Sequence, residues 1–234
     1  KINDTETRVS IYISNVSIWM DVMDLWDSFS NRISTIYLPD RKRPMLPTVL
    51  SDALCSLTQK DIRFALELYM VIDSITGQIK SYKFNNTIIK VEKNLRYDTK
   101  EQEEYPLYKK LFGIVKLMNK KNKYMDSIDS SHDLVAYLMI TMNYISATRL
   151  IEHESGIYRS AKFGSSFQPP EHLEKQFQKF LKHWNSSGGT YSKFGNIESH
   201  DMLALDAYVH ITSPIRRMPD LLNMMILQEK EGLY

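Results

Sequence analysis

Residues 208–220 read Tyr208-Val209-His210-Ile211-Thr212-Ser213-Pro214-Ile215-Arg216-Arg217-Met218-Pro219-Asp220, placing hydroxyls, a histidine and two adjacent arginines around two prolines. The alternation from Leu205 to Ile211 predicts a strand that leads into this stretch. Ser213 followed by Pro214 is typical of a helix start, because serine caps helices and proline fits the first helical position. Since the residue before a proline disfavours helical geometry, the main helix is predicted from Pro219 or Asp220 to Glu231.

This stretch is suited to holding an anion. A helix start offers free N–H groups and a positive dipole, and an arginine adds a planar fork that matches phosphate oxygens. Arg216 and Arg217 therefore predict a phosphate site. An ordinary helix cap, with both arginines paired to surface acids, explains the same pattern equally well from spacing alone.

The composition is that of one large globular domain. The chain has 234 residues, of which 43% are hydrophobic and 25% charged, enough to bury a substantial core. With a net charge of only +2, any surface that binds nucleic acid must be a local patch. The single cysteine, Cys55, excludes an internal disulfide and favours an intracellular protein of the cytoplasm or nucleus. The apolar run Leu134–Ile145 is too short to span a bilayer, so we expect no membrane partner.

Hydrophobic periodicity predicts an α/β (α+β-like) fold, a mostly antiparallel sheet surrounded by helices. The predicted strands are Val9–Val16, Thr35–Leu38 and a long hairpin of Phe64–Asp73 with Ile79–Val91. The predicted helices are one through Val22, Leu25, Trp26, Phe29 and Ile33, a turn at Ser51–Leu57, Tyr105–Met118, Leu134–His153 capped by Ser130 or Ser131, and Pro170–Trp184. The loop Pro39–Pro44 carries three cations and is more typical of a solvated loop than of a phosphate site.

Further motifs for ligand binding are missing from the sequence. It has no glycine-rich phosphate loop, no zinc-type Cys/His spacing and no internal repeat. Its six histidines lack ligand-like spacing, so no metal site is predicted within these residues.

The 208–220 stretch, with Pro219-Asp220-Leu221-Leu222, resembles the signature of the RNB catalytic domain of ribonuclease II, ribonuclease R and the exosome's catalytic nuclease. Other matching blocks are Val9–Ser17, Tyr37–Asp40, Pro44–Pro47, Leu50–Leu57, Ser131–Val135 and Tyr191-Ser192. The resemblance covers nearly the whole chain in the family's order. It implies one RNB-like domain over residues 1–234.

The resemblance implies a hydrolytic 3′→5′ exoribonuclease that uses Mg²⁺ to release nucleoside monophosphates from single-stranded RNA. Arg216 matches the family's arginine on the scissile phosphate, Tyr37 the aromatic that stacks on the terminal nucleotide, and Tyr97 a second aromatic along the RNA path. The other polar residues predicted to contact RNA are His210, Thr212, Ser213 and Arg217. Stacking suits sequence-independent degradation, because every base has a face to stack.

The family's metal-binding aspartates lie just before the strand that begins here near Val9. Asp4 lies too close to that strand to be their counterpart, so we expect the ligands upstream of Lys1 and a domain incomplete at its N-terminal edge. The β-barrel modules that usually flank the domain are also expected elsewhere in the same protein. The family resemblance thus implies Mg²⁺, but we expect none of its ligands within this sequence.

Several positions depart from the family pattern. Asn15 replaces an aspartate, Ala136 and Tyr137 replace paired glutamates, and Ala161 replaces a histidine. The connections Met118–Ser131 and Pro169–Tyr191 are also shorter. These departures favour an alternative, a degenerate RNB-like domain that binds RNA or a protein partner without cleavage. Without the resemblance, an unrelated α+β interaction domain with an anion site at Arg216 would be the preferred interpretation.

Overall fold

The computed structural model describes residues 2–27, 32–161, 169–170, 172–178, 181 and 189–233. Its strands are β1 Glu6–Ser14, β2 Ile36–Tyr37, β3 Lys42–Arg43, β4 Ile62–Asp73, β5 Ile79–Lys90, β6 Ile157–Ser160 and β7 Thr190–Lys193. Its helices are α1 Val16–Val22, α2 Lys100–Glu104, α3 Pro106–Lys121, α4 Ser131–Glu152 and α5 Met218–Lys230, with a π-helical turn at Val49–Leu54 and a 3₁₀ turn at Asp201–Leu203. The predicted α/β (α+β-like) class is confirmed.

The centre of the fold is an antiparallel sheet in the order β1-β4-β5. One face of β4 carries Leu66, Leu68, Met70 and Ile72, all fully buried, because alternate residues of a strand point to the same side. The predicted long hairpin is therefore confirmed, while β1 begins at Glu6 rather than Val9. Two short ribbons, β2-β3 and β6-β7, lie outside this sheet.

Helix α4 contributes to the same hydrophobic core as the buried face of the sheet. Ser130 caps it through a capping box, in which the Ser130 hydroxyl accepts from the Asp133 N–H and the Asp133 carboxylate accepts from the Ser130 N–H. The predicted cap is thus confirmed. From the sequence, the apolar run Leu134–Ile145 was expected to be too short to span a bilayer. The helix that contains it has 22 residues and is long and apolar enough to cross a membrane. More than half of its most apolar window is buried inside the protein, as in the core helix of a globular fold.

A second, smaller hydrophobic cluster supports the side of the molecule that carries the arginines. It contains Val16, Met20, Met45, Leu46, Leu50, Cys55 and Leu221. The cluster packs the segment after β3 and the π-helical turn against α1 and α5. Burial raises the pKa of Cys55 to about 11, so this thiol stays protonated as a core residue.

Four local predictions are wrong. The helix after Asn15 ends at Val22, and Asp24 has a φ of +49°, which a helix cannot continue; Phe29 lies outside the described residues. Leu205–Ile211 makes only isolated bridges, from Leu205 to His200 and from Val209 to Tyr158.

Ser213 and Pro214 form a turn, and the helix begins at Met218. The cations Lys42 and Arg43, predicted to lie in a loop, form β3. Of the predicted helix Pro170–Trp184, helical geometry is described only at residues 175–178 and 181.

Two glycines provide opposite tests of this packing. Gly77→Ala should destabilise the protein by more than about 1 kcal/mol, because the glycine has a φ of +75° and an added Cβ would lie 2.3 Å from the Leu117 carbonyl carbon. Gly113→Ala should stabilise it by about 0.5–1 kcal/mol, since glycine weakens a helix interior and the new methyl group would meet open space. Urea unfolding gives the free energy of unfolding of both variants. If both variants changed it in the same direction, the described packing around α3 would be contradicted.

Candidate nucleic-acid-binding site

A cleft of about 370 Å³ lies where the end of β1, the β2-β3 ribbon, the π-helical turn and residues 212–216 meet. Its polar lining includes Tyr12, Tyr37, Lys42, Asp52, Thr212, Ser213 and Arg216. Segments from both ends of the chain contribute to this cleft. It contains the main part of the predicted site.

A buried carboxylate fixes the turn that carries the two arginines. Asp220 is fully buried, and its Oδ1 accepts hydrogen bonds from the Ser213 N–H at 2.7 Å and from Arg217 Nη2 at 2.9 Å. Arg217 Nε lies 2.8 Å from the other carboxylate oxygen. The N–H groups of Arg216 and Arg217 both donate to the Ser213 carbonyl at 3.1 Å. Arg217 therefore turns inward, while Arg216 is exposed at the cleft.

Backbone pairing brings Tyr37 to the same cleft. The Thr35 N–H donates to the Arg216 carbonyl and the Met218 N–H to the Ile33 carbonyl, each at 2.9 Å. The segment before β2 is thereby attached to the arginine turn. Tyr37 follows in β2 and lines the cleft with 65% of its surface exposed, so its ring is free to stack.

Among the described residues that line the cleft, one carries a carboxylate, and a lysine already holds it. Lys42 Nζ donates to both oxygens of Asp52, at 2.8 and 2.9 Å, and this hydrogen bonding lowers the pKa of Asp52. Mg²⁺ usually requires carboxylates in octahedral geometry together with waters or phosphates. Within the described residues no group of three or more His, Cys, Asp or Glu side chains could hold a metal ion. The residues present do not fit the Mg²⁺ site that the family resemblance implies.

His210 lies beside the arginine turn and does not line the cleft. Its Nδ1 is 2.7 Å from the Tyr191 hydroxyl, and its ring meets Tyr208 edge-to-face. Burial, together with the nearby guanidiniums of Arg217 and Arg159, lowers the pKa of His210 to about 3. His210 is therefore neutral in the folded protein at physiological pH.

Tyr97 lies elsewhere on the surface. Its ring is stacked on His132 with centroids 4.0 Å apart, and His132 Nε2 is 3.6 Å from an Asp98 oxygen. Asp98 lines a separate cavity of about 340 Å³ between the start of α4 and α3. Tyr97 is half exposed at this second location.

The cleft thus brings together Tyr37, Thr212, Ser213 and Arg216, whereas Tyr97, His210 and Arg217 lie outside it. The sequence interpretation missed Tyr12, Lys42 and Asp52. Lys42 had a visible signal, because it belongs to the cationic segment between two prolines. Tyr12 had none, since an alternating strand gives no sign of which tyrosine borders a cleft.

Three of the four positions that depart from the family pattern lie in the interior, and the fourth, Ala136, is partly buried. Asn15 is 1% exposed and donates to Asn86 Oδ1 at 3.0 Å. Tyr137 is buried, and its hydroxyl donates to the Asn122 carbonyl at 3.2 Å. Ala161 is also buried. Each of these residues is packed by the surrounding fold.

Comparisons with known proteins agree with this architecture. The sequence matches the family model of the RNB domain over residues 1–103 and 110–230. It is 24% identical to "Ribonuclease R 1" of Lactococcus lactis subsp. lactis (strain IL1403), over 98% of this chain and 37% of that protein. It is 26% identical to "Ribonuclease R" of Escherichia coli (strain K12), over 92% of this chain and 35% of that protein. The chain spans little more than a third of the length of these curated relatives.

Solved structures share the fold, among them the following two. Ribonuclease R of Mycoplasma genitalium in complex with double-stranded RNA aligns with a TM-score of 0.72 and 19% identity, over 100% of this chain and 56% of that chain. Yeast Ssd1, described as a pseudonuclease, aligns with a TM-score of 0.75 and 14% identity, over 99% of this chain and 37% of that chain. At these identities the likeness concerns the fold alone.

The low pKa of His210 predicts a specific dependence of stability on pH. Because its pKa is about 3 in the folded state, below the ordinary value near 6.5, the unfolded chain takes up a proton first as pH falls. The stability from neutral His210 is fully present above about pH 6.5 and is lost progressively below it. Thermal unfolding of His210→Asn should therefore depend less on pH between about 5 and 7 than that of the unaltered protein.

Tyr191→Phe is the matched control for this prediction. Burial is the largest cause of the shift, so removing the Tyr191 hydroxyl should leave His210 neutral. NMR titration of the imidazole measures this directly. A His210 signal that titrates near the ordinary histidine pKa would contradict the described environment.

Proposed function

This chain belongs to the RNB domain family, whose ribonuclease R members are 3′→5′ exoribonucleases, and from that premise we propose that it acts on single-stranded RNA. The 3′ end of the strand would enter the cleft of Tyr37 and Arg216. Within the longer protein to which we assign this chain, the RNA would be hydrolysed stepwise to nucleoside monophosphates.

The observation that carries this proposal is the convergence of Tyr37 and Arg216 in one cleft of about 370 Å³. An exposed tyrosine ring stacks on any base, so it grips RNA without regard to sequence. A guanidinium binds phosphate oxygens through two parallel hydrogen bonds. Together they can hold a terminal nucleotide by its base and by its phosphate.

Arg216 is suited to more than binding. Its guanidinium donates weakly to the Ser213 hydroxyl, at 3.3 Å, and is otherwise directed to solvent at the cleft. Charge that develops on a phosphate during hydrolysis would be stabilised by a donor already in position. Lys42 contributes less, because Asp52 neutralises it.

Mg²⁺ would supply the activated water of this family's chemistry, but the described residues do not form its site. We propose that the metal-binding carboxylates come from residues outside these 234. The β-barrel domains expected from the family resemblance would add further RNA contacts in the same protein.

A second candidate function is RNA binding without cleavage. It is favoured by the cleft itself, whose one lining carboxylate is held by a lysine. The fold does not discriminate, because it is shared with a ribonuclease R and with a protein described as a pseudonuclease. End-labelled RNA incubated with Mg²⁺ and the full-length protein decides between them, since binding without degradation would establish the second candidate.

Tyr37→Ala should weaken the binding of oligo(U) to this chain by about 1–3 kcal/mol, because one base loses its stacking partner. Fluorescence anisotropy in EDTA measures the affinity without cleavage. Ile36→Ala is the matched control: this neighbour in β2 is 45% exposed and does not line the cleft. Equal losses in both variants would indicate a disturbed ribbon and no stacking.

In the full-length protein, Arg216→Ala should lower kcat by about 10²–10³, as expected when a donor to the developing charge is removed. Single-turnover degradation of end-labelled RNA gives the rate, and anisotropy gives the affinity. Arg41→Ala, an exposed arginine of the β2-β3 turn outside the cleft, should leave both unchanged. If Arg216→Ala weakens binding as much as it slows turnover, the contact only positions the phosphate.

A further inference from the structure

Helix α3 presents a strongly basic surface. Its 16 residues include five lysines and no acid, although the whole chain has a net charge of only +2. All five side chains are exposed. We call Lys109, Lys110, Lys116, Lys120 and Lys121 the lysine face of α3.

The helix places three residues of the lysine face in a line on one side. Lys109, Lys116 and Lys120 lie on one stripe, because residues three, four or seven positions apart share a side of a helix. At 1.5 Å per residue the stripe is about 16 Å long. The opposite side carries Ile114, Val115 and Met118, which are buried in the core, so the lysines must face solvent.

Contacts within the fold do not account for the lysine face. Lys116 Nζ lies 3.9 Å from Asp129 and 4.9 Å from the centre of the Phe112 ring, two surface contacts of the kind that contribute little to stability. Around the other four lysines, no carboxylate among the described residues lies within salt-bridge distance. The charges are therefore available to a partner.

Helix stability does not account for them either. Lys120 and Lys121 lie in the last turn, where a cation is favoured by the helix dipole. Lys109 and Lys110 lie near the N-terminal end, where positive charge is disfavoured, and the first turn contains no acid. Lys116 and Lys120 form a like-charge pair four residues apart, which is also unfavourable. The positions of Lys109, Lys110 and Lys116 are therefore not explained by the stability of the helix.

Gly113 gives an independent indication of a ligand. It lies on the same stripe, between Lys109 and Lys116, and a Cβ added there would meet no atom within 4 Å. Glycine weakens a helix interior, and nothing in the described fold requires it at this position. A bare backbone at the centre of a basic stripe lets a ligand strand approach the helix closely.

We propose that the lysine face of α3 binds the phosphate backbone of single-stranded RNA, as a contact surface separate from the cleft; this rests on the proposed function. Lysines are flexible point charges, and they suit binding that is independent of sequence. An anionic membrane fits less well. The apolar side of α3 is buried in the core, so the helix lacks the exposed apolar face that an interfacial helix inserts.

The test measures the binding of oligo(U) to this chain in EDTA over a series of salt concentrations. One oligonucleotide is long enough to contact both the cleft and the lysine face, and the other is only long enough to fill the cleft. For Lys109→Gln/Lys116→Gln we expect affinity for the long RNA to fall on the order of tenfold. The slope of log affinity against log salt should become shallower by about 1.4, since each lost phosphate contact removes about 0.7 for a single strand. The short RNA should bind as before.

Two matched variants control for charge and shape. Lys175→Gln/Lys230→Gln makes the same charge change at exposed lysines outside α3 and should leave the affinity unchanged. Lys109→Arg/Lys116→Arg retains the charges and should bind like the unaltered chain. Far-ultraviolet circular dichroism confirms that each variant retains its helices.

Several results would overturn the inference. Equal losses in the α3 and control variants would show only a general charge effect. Unchanged binding of long RNA, while Tyr37→Ala weakens both lengths, would refute the lysine face and leave the proposed function intact. If the unaltered chain binds neither length, the proposed function fails as well. Lysine-dependent binding to anionic vesicles without an effect on RNA would assign the face to a membrane.

Discussion

The candidate site depends on one buried carboxylate. Asp220 is removed from water at the start of α5, and an ionised group there must be compensated by a countercharge and hydrogen bonds. Burial raises its pKa, and Arg217 opposes the shift. The Arg217 guanidinium and the Ser213 N–H provide this compensation and hold the turn in its observed orientation. Arg217 is thereby bound to a carboxylate in the interior, and Arg216 is available to bind a ligand.

A second buried network attaches the sheet to the helices around the site. Asn15, at the end of β1, donates to Asn86 in β5, and Gln228 of α5 donates to the same oxygen at 2.7 Å. Asn86 is oriented by its own donation to the Leu233 carbonyl. An aspartate at position 15 would bring a carboxylate against that oxygen without a proton between them. Asparagine at this position therefore suits the hydrogen bonds of the interior.

Positive charge is distributed locally on a chain that is nearly neutral overall. The cleft presents the guanidinium of Arg216, whereas α3 carries exposed lysines along a helix. These arrangements differ in kind, because a guanidinium fork fixes geometry and an ammonium group supplies only charge. A weak overall field means that any attraction of RNA must arise from such patches.

The sequence alone determined the features that depend on neighbouring residues. Alternation indicated the β4-β5 hairpin, Ser130 and Ser131 indicated the start of α4, and a contiguous motif indicated the family. It failed where distant segments compete with local preference. Ser213 resembled a helix cap, but its N–H is bound by Asp220.

The tertiary structure alone decided that Tyr37 and Arg216 share a cleft while Tyr97 and His210 lie elsewhere. The backbone bonds and core contacts that join these segments are long-range, and no local pattern encodes them.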